Sequence, residues 1–403
     1  MKKTLIALAA VAATGASFAQ VTISGQLGFS WQQEAAKGTD GSHKQGFSMN
    51  DGDVYLTATE SLGAGWSATA RGGWTMRGRG TAVVDRDGML MLGTPNGTLT
   101  AGSFRTCGPL DAVKSGAVTG TAYTANESNL YIPIDKCSLI DAVSFSLPKF
   151  ANTTVSVAYG ELSGSVSFAP TITSTASAVA TSTPVVTAGS TTTFGVLPNT
   201  QILDAKGNAT GITFTNLAAV YADGPVMLQA DITWFGGASS KTQISNSTVA
   251  GAFLLNDAGL DGWQRTRVTG TYDAGVAKVG LGYQNRTWGM ADQYIATIAV
   301  PVGNMVFGLD YMARDAQGPM TAPAGNSNFA LLMSSLNGQK AGDKASSMVG
   351  VGVTYNFSKT TTVNASYIQY TDAGVNVTNG VTSYTGGAAG NDVEYRIRLM
   401  KTF

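Results

Sequence analysis

The chain has 403 residues, with 25 basic and 25 acidic side chains, 50 glycines and only 12% charged residues. Its mean hydropathy is +0.07. This composition excludes a disordered chain and a basic nucleic-acid binder, and suits many strands joined by small-residue turns better than it suits a helical enzyme.

At the start, Lys2 and Lys3 precede an apolar run from Leu5 to Ala13, and the small residues Ser17 and Ala19 frame a cleavage site before Gln20. Residues 1–19 thus read as an export signal, and residues 20–403 as one mature domain. No later segment approaches about 18 uninterrupted apolar residues, so any membrane span is made of strands. Directly after the signal, Val21, Ile23, Leu27, Phe29 and Trp31 alternate with Thr22, Ser24, Gln26, Ser30 and Gln32. One face suits lipid and the other suits water.

Seven short turns are predicted at 61–65, 94–97, 149–152, 222–224, 273–275, 301–304 and 356–360. Pro95-Asn96-Gly97 and Asp223-Gly224-Pro225 supply the fixed or left-handed backbone such turns need. They join strands two to fifteen in pairs, and the two terminal strands close a ring of sixteen. The long connections are expected at about 33–46, 75–84, 105–140, 160–212, 236–261, 288–292, 313–345 and 371–391. The fourth contains a Ser/Thr/Ala/Val-rich stretch at 171–193, where additional strands fit. In the final segment Val393, Tyr395, Ile397, Leu399 and Phe403 face one way, and Glu394, Arg396, Arg398 and Thr402 the other. The expected fold is all-β: a 16-stranded antiparallel transmembrane β-barrel with short periplasmic turns and long outer loops. A secreted β-sandwich or solenoid also alternates, but does not account for lipid-type faces at both ends of the chain.

The segments QVTISG at 20–25, TESLGAGW at 59–66, LMLG at 90–93, TLTAG at 98–102 and YRIR at 395–398, with the terminal Phe403, carry a resemblance. From residue 20 to 403 the chain resembles the general diffusion porins of Gram-negative bacteria, in particular the trimeric sixteen-stranded porins of beta-proteobacteria. The resemblance implies a homotrimer in contact with outer-membrane lipid and lipopolysaccharide. It also implies a water-filled channel for small hydrophilic solutes and ions, with no cofactor, narrowed by an inward-folded third loop at 105–140. That loop lacks the Pro-Glu-Phe-Gly motif of the enteric branch.

A pore acts through its radius and field, so charges at inward positions are the candidate sites. Trp66, Ala68, Ala70 and Gly72 share one face of their strand, which turns Arg71 inward at mid-strand. Arg77, Arg79, Arg86 and Arg105 follow, while the loop supplies Asp111, Glu127 and Asp135, with Lys114 of opposite sign. A basic wall facing an acidic loop is the expected constriction. Lys278, Arg286, Arg396 and Arg398 fall on lumen parity elsewhere. Arginine-lined constrictions occur in the anion-selective members of the family, so the resemblance implies an anion preference.

Cys107 and Cys137, the only two cysteines, bracket the third loop. In an oxidising compartment a disulfide is their expected state, worth on the order of 3–4 kcal/mol for a loop of about thirty residues. Two unpaired thiols remain the alternative. No metal site is expected: His43 is the single histidine, and the runs Asn50-Asp51-Gly52-Asp53 and Asp85-Arg86-Asp87 lack a full calcium-loop spacing and read as barrel-rim charges. A lone His43 among Gly, Ser and Lys gives no catalytic constellation, so no enzyme is expected. Trp31, Trp66, Trp74, Tyr283, Tyr367 and Tyr395 fit interfacial girdles rather than a sugar slide. A substrate-selective channel and a surface adhesion barrel are the alternative functions.

Overall fold

A computed structural model describes residues 20–36, 43–76, 84–106, 109–119, 138–162, 169–172, 192–195, 202–203, 212–236, 241–244, 253–256, 263–287, 291–316, 345–371, 374–378, 381–385 and 391–403. Sixteen strands form the wall: β1 (Gln20–Ala36), β2 (His43–Gly63), β3 (Trp66–Thr75), β4 (Val84–Thr94), β5 (Gly97–Thr106), β6 (Ser138–Ser146), β7 (Thr153–Leu162), β11 (Ile212–Asp223), β12 (Val226–Gly236), β15 (Trp263–Asp273), β16 (Lys278–Arg286), β17 (Gln293–Val302), β18 (Met305–Arg314), β19 (Ser346–Ser358), β20 (Thr361–Thr371) and β23 (Asn391–Thr402). Each pairs antiparallel with the next, and β23 pairs back onto β1 with Ser30 opposite Arg398. The main chains of Gly25 and Phe403 exchange hydrogen bonds of 2.9 and 3.0 Å at the seam. Closure leaves no sheet edge, which is the condition for a strand assembly to cross hydrocarbon.

Alternation fixes the faces. On β18, Phe307, Leu309 and Tyr311 are exposed outward, while Gly308, Asp310, Met312 and Arg314 are buried inward. Exposed Val, Leu, Phe and Tyr recur all round the wall, for instance Leu281, Val351 and Ile397. Such a surface is stable only against lipid. Trp66, Trp74, Tyr283 and Tyr395 belong to it, and Tyr367 packs on Tyr395 with ring centroids 5.0 Å apart.

All seven short turns fall where the residue types require them. Gly224 (φ 52°) follows Asp223, and at 147–152 Ala151 and Asn152 take positive φ without glycine. The long connections differ from expectation in extent. β1 and β2 stay paired out to Ala35 opposite His43, so the first connection is 37–42 rather than 33–46. Gln33 and Gln45 are directly opposite there, and a polar hairpin in water pairs its backbone as readily as a lipid-facing one. The remaining strands sit in the connections: β8 (Ala169–Ile172) pairs with β9 (Thr192–Gly195), β10 (Ile202–Leu203) joins β13 (Lys241–Ile244) and β14 (Phe253–Asn256), and β21 (Gly374–Thr378) pairs with β22 (Val381–Thr385).

Candidate functional site: the barrel lumen

After β5 the chain turns into the barrel. A 3-10 helix, Pro109–Val113, contacts β12, β15, β16 and β17, and the chain then runs along the inner wall to Thr119 on β20. β5 and β18 stand on opposite sides of the ring, so the segment lies across the interior. Glycines on the inward parity make its track. A Cβ on Gly352 would stand 2.0 Å from the Ala117 carbonyl oxygen, and one on Gly280 would stand 2.6 Å from that of Val113. The loop backbone thus rests directly on the wall, as only glycine permits.

Polar anchors hold it in place. The Ser115 N–H donates to Asp310 Oδ1 at 3.1 Å, Asn364 Nδ2 to the Ala117 oxygen at 2.6 Å, and the hydroxyls of Thr297 and Ser366 to the Val113 and Thr119 carbonyls. Between loop and wall lies an apolar cluster of Leu110, Val113, Val118, Ile295, Met312, Met348 and Ile368. Sequence reading missed it. Its signal was present, because apolar residues at the inward positions of β17 to β20 do not belong in open water and require a cover.

Two arginine clusters flank this track. On β12 and β15, Arg267 grips Asp231 bidentately, Nε to Oδ2 at 2.8 Å and Nη2 to Oδ1 at 3.1 Å. Arg265 approaches Oδ1 to 3.7 Å, and Asn216 and Thr233 complete the network. On β23 and β2, across β1, Arg396 and Arg398 both donate to Asp51 Oδ2, at 3.4 and 3.0 Å. The reading of Asp51, Asp53 and Asp87 as rim charges is therefore corrected. Asp51 and Asp53 share inward parity with Tyr55 and Thr57, Asp53 accepts from Thr75 at 2.9 Å and Gln26 at 3.2 Å, and Asp87 is buried.

Of the predicted residues, Arg71 projects from β3 with its guanidinium carbon 4.1 Å from the Tyr55 ring centroid. This is a cation–π contact on the inward face. Lys114 is half-buried in the loop just past the 3-10 helix, and Lys278 is exposed at the short-turn end of β16. Arg396 and Arg398 are inward, but as partners of Asp51 rather than isolated cations. Arg105 lies near the end of β5, Asp111 within the 3-10 helix and Arg286 at the end of β16. Glu127, Asp135, Cys107 and Cys137 fall outside the described residues, so neither the acidic loop nor the disulfide enters the geometry. Sequence reasoning passed over Asp231, Arg265 and Arg267, whose strand parity alone would have marked them as inward.

The sequence model of the Gram-negative porin family matches residues 4–389. The chain belongs to the Gram-negative porins. No curated protein matches the sequence closely enough to serve as a relative. Among solved structures, it is similar to the anion-selective porin from Comamonas acidovorans, with 16% identity and a TM-score of 0.55 over 96% of this chain and 100% of that one. It is also similar to OmpT of Vibrio cholerae in a trimer form (14% identity, TM-score 0.52, 96% and 100% covered) and to a mutant of the Rh. blastica porin (11%, 0.54, 95% and 100%). The porin is an outer-membrane β-barrel, and its activity is passive diffusion through the lumen.

Proposed function

We propose that this porin prefers anions among the small hydrophilic solutes and ions it passes, that it works without bond chemistry, and that it assembles as a homotrimer. One observation carries the preference. Among the described inward residues, Asp53, Asp231, Asp310 and Glu394 are buried, as are Arg265, Arg267, Arg314 and Arg396, whereas Arg71, Lys114, Lys278 and Arg398 keep exposed surface beside the part-exposed Asp51 and the exposed Asp273. Buried charges of either sign attract mobile ions weakly, while accessible ammonium and guanidinium groups meet the solute directly. The structurally similar porin from Comamonas acidovorans is anion-selective, which accords with this.

The trimer reading rests on the outer face of β1 to β5. Ala58, Ala70, Gly72 and Ala101, framed by Leu56, Trp74 and Leu90, form a shallow small-residue groove of about 770 Å³. A flat, small-residue wall lets a second barrel approach closely in lipid. OmpT has been solved in a trimer form.

Refolded protein in a planar bilayer under a salt gradient tests the preference. Large, stable steps with a reversal potential of the anion-selective sign are expected. A cation-selective potential would overturn the preference, and silence from correctly inserted barrels would leave the outer loops as the working surface.

A further inference from the structure

The two arginine clusters of the lumen are not alike. Around Asp231 it is the carboxylate that is saturated: Arg267 is bidentate, Asn216 and Thr233 supply further hydrogen bonds, and the carboxylate side chain is 2% exposed. This is a closed, structural ion pair. Around Asp51, two guanidinium groups share one carboxylate oxygen, and each donates a single hydrogen bond to it. A guanidinium carries five N–H donors. The Nε atoms of Arg396 and Arg398 are both buried without a partner, and the Arg396 side chain is only 5% exposed. Such under-satisfied donors are costly in a place screened from water.

Asp51 reaches the pair from β2 across the whole of β1, and the sequence provides for that reach. Gly28 stands directly opposite Asp51, where a Cβ would sit 2.8 Å from Asp51 Oδ2, and the strand register shifts at Gly28/Phe29. With no side chain in the way, the carboxylate leans over β1 to reach both guanidinium groups. It stays 22% exposed, and Arg398 stays 13% exposed. Glu394, buried on the same face, also attracts Arg396 and has partners of its own.

We propose that the Arg396–Arg398 pair is a docking site for the oxyanion of a passing solute, carboxylate or phosphate, and that Asp51 is its built-in competitor. This rests on the diffusion-channel reading and adds the solute class. A second oxyanion entering from the lumen meets the part-exposed Arg398 first and reaches the remaining donors as it displaces Asp51, and the planar forks of two arginines match its geometry. Asp51 repels the same anion and reclaims the pair when it leaves. Binding is thereby kept weak enough for transit, the balance that conduction demands. The cluster around Asp231 offers no such site, because its donors meet a carboxylate already closed off from the lumen.

The test is block of single-channel chloride current by inorganic phosphate and by succinate, each added to the loop side. Weak block is expected of the native protein. Asp51→Asn is expected to lower the half-blocking concentration about tenfold, as the loss of one nearby competing charge implies. Gly28→Ala, which keeps every charge but crowds Asp51 off the pair, shifts block in the same direction. The double variant Arg396→Gln with Arg398→Gln loses block and still conducts. Whichever probe blocks more tightly tells a tetrahedral from a planar oxyanion. An unchanged half-blocking concentration in Asp51→Asn, alongside a shifted reversal potential, would reduce Asp51 to a background charge and overturn the site. So would block that survives the double variant. Absence of channels from native, heat-modifiable barrels is a different failure, that of the diffusion reading itself.

Discussion

Arg71 and Asp231 both face inward, yet they do different work because their partners differ. Asp231 is buried with Arg267 in bidentate contact and Arg265 at 3.7 Å, so its role is to hold the wall together. Replacing it with alanine strands buried positive charge, and Asp231→Ala is expected to lower stability by about 3–5 kcal/mol in urea unfolding of the refolded barrel. Arg71 rests on the Tyr55 ring with part of its surface open. Arg71→Glu is expected to lower the anion-over-cation permeability ratio while leaving the fold intact; an unchanged reversal potential would place Arg71 away from the narrowest field. Strand parity made the orientation of Arg71 legible. It applied equally to Asp51, but Asn50 and Gly52 beside it look like a polar turn, and only the pairing with β1 and β23 turns that run into the interior.

At the scale of the element, the inward loop is the feature that occupies the lumen of the barrel. Its described part is held by backbone contact and by four polar anchors rather than by its own secondary structure. Gly352→Val inserts atoms where the Ala117 oxygen lies, and is expected to lift the segment and change single-channel conductance, with the heat-modifiable mobility of the barrel retained. Conductance identical to native would mean that the segment does not bound the pore. Asn364→Leu removes the donor to the Ala117 carbonyl; a buried oxygen left unpaired costs about 1–3 kcal/mol, and protease sensitivity within the loop is expected to rise. The sequence announced a loop between two cysteines and its place in the chain. It could not announce the landing site, since the glycines and apolar residues that receive it are dispersed over β16 to β20 and acquire meaning only as one surface.

For the whole molecule, closure is the decisive event. The seam between β1 and β23 passes through Gly25, where a Cβ would meet the Asp53 carbonyl oxygen at 2.2 Å and the Phe403 ring at 2.9 Å. Gly25→Val is expected to reduce the yield of folded, heat-modifiable barrel more than any outward substitution of equal size, because one open seam exposes unpaired backbone to hydrocarbon. If the barrel is a trimer, Gly72→Arg on the outer wall is expected to yield monomers on unheated gels with single-channel activity preserved.

The sequence alone determined strand number, turn positions and which face meets lipid. Alternation and turn chemistry are local, and each strand states its own two faces within about ten residues. Tertiary structure decided where the loop rests and which charges pair. Asp51 meets Arg396 and Arg398 from the far end of the chain, and Ser115 meets Asp310 across the barrel. Those contacts depend on ring closure and strand register, which bring remote residues to one point that no local pattern encodes.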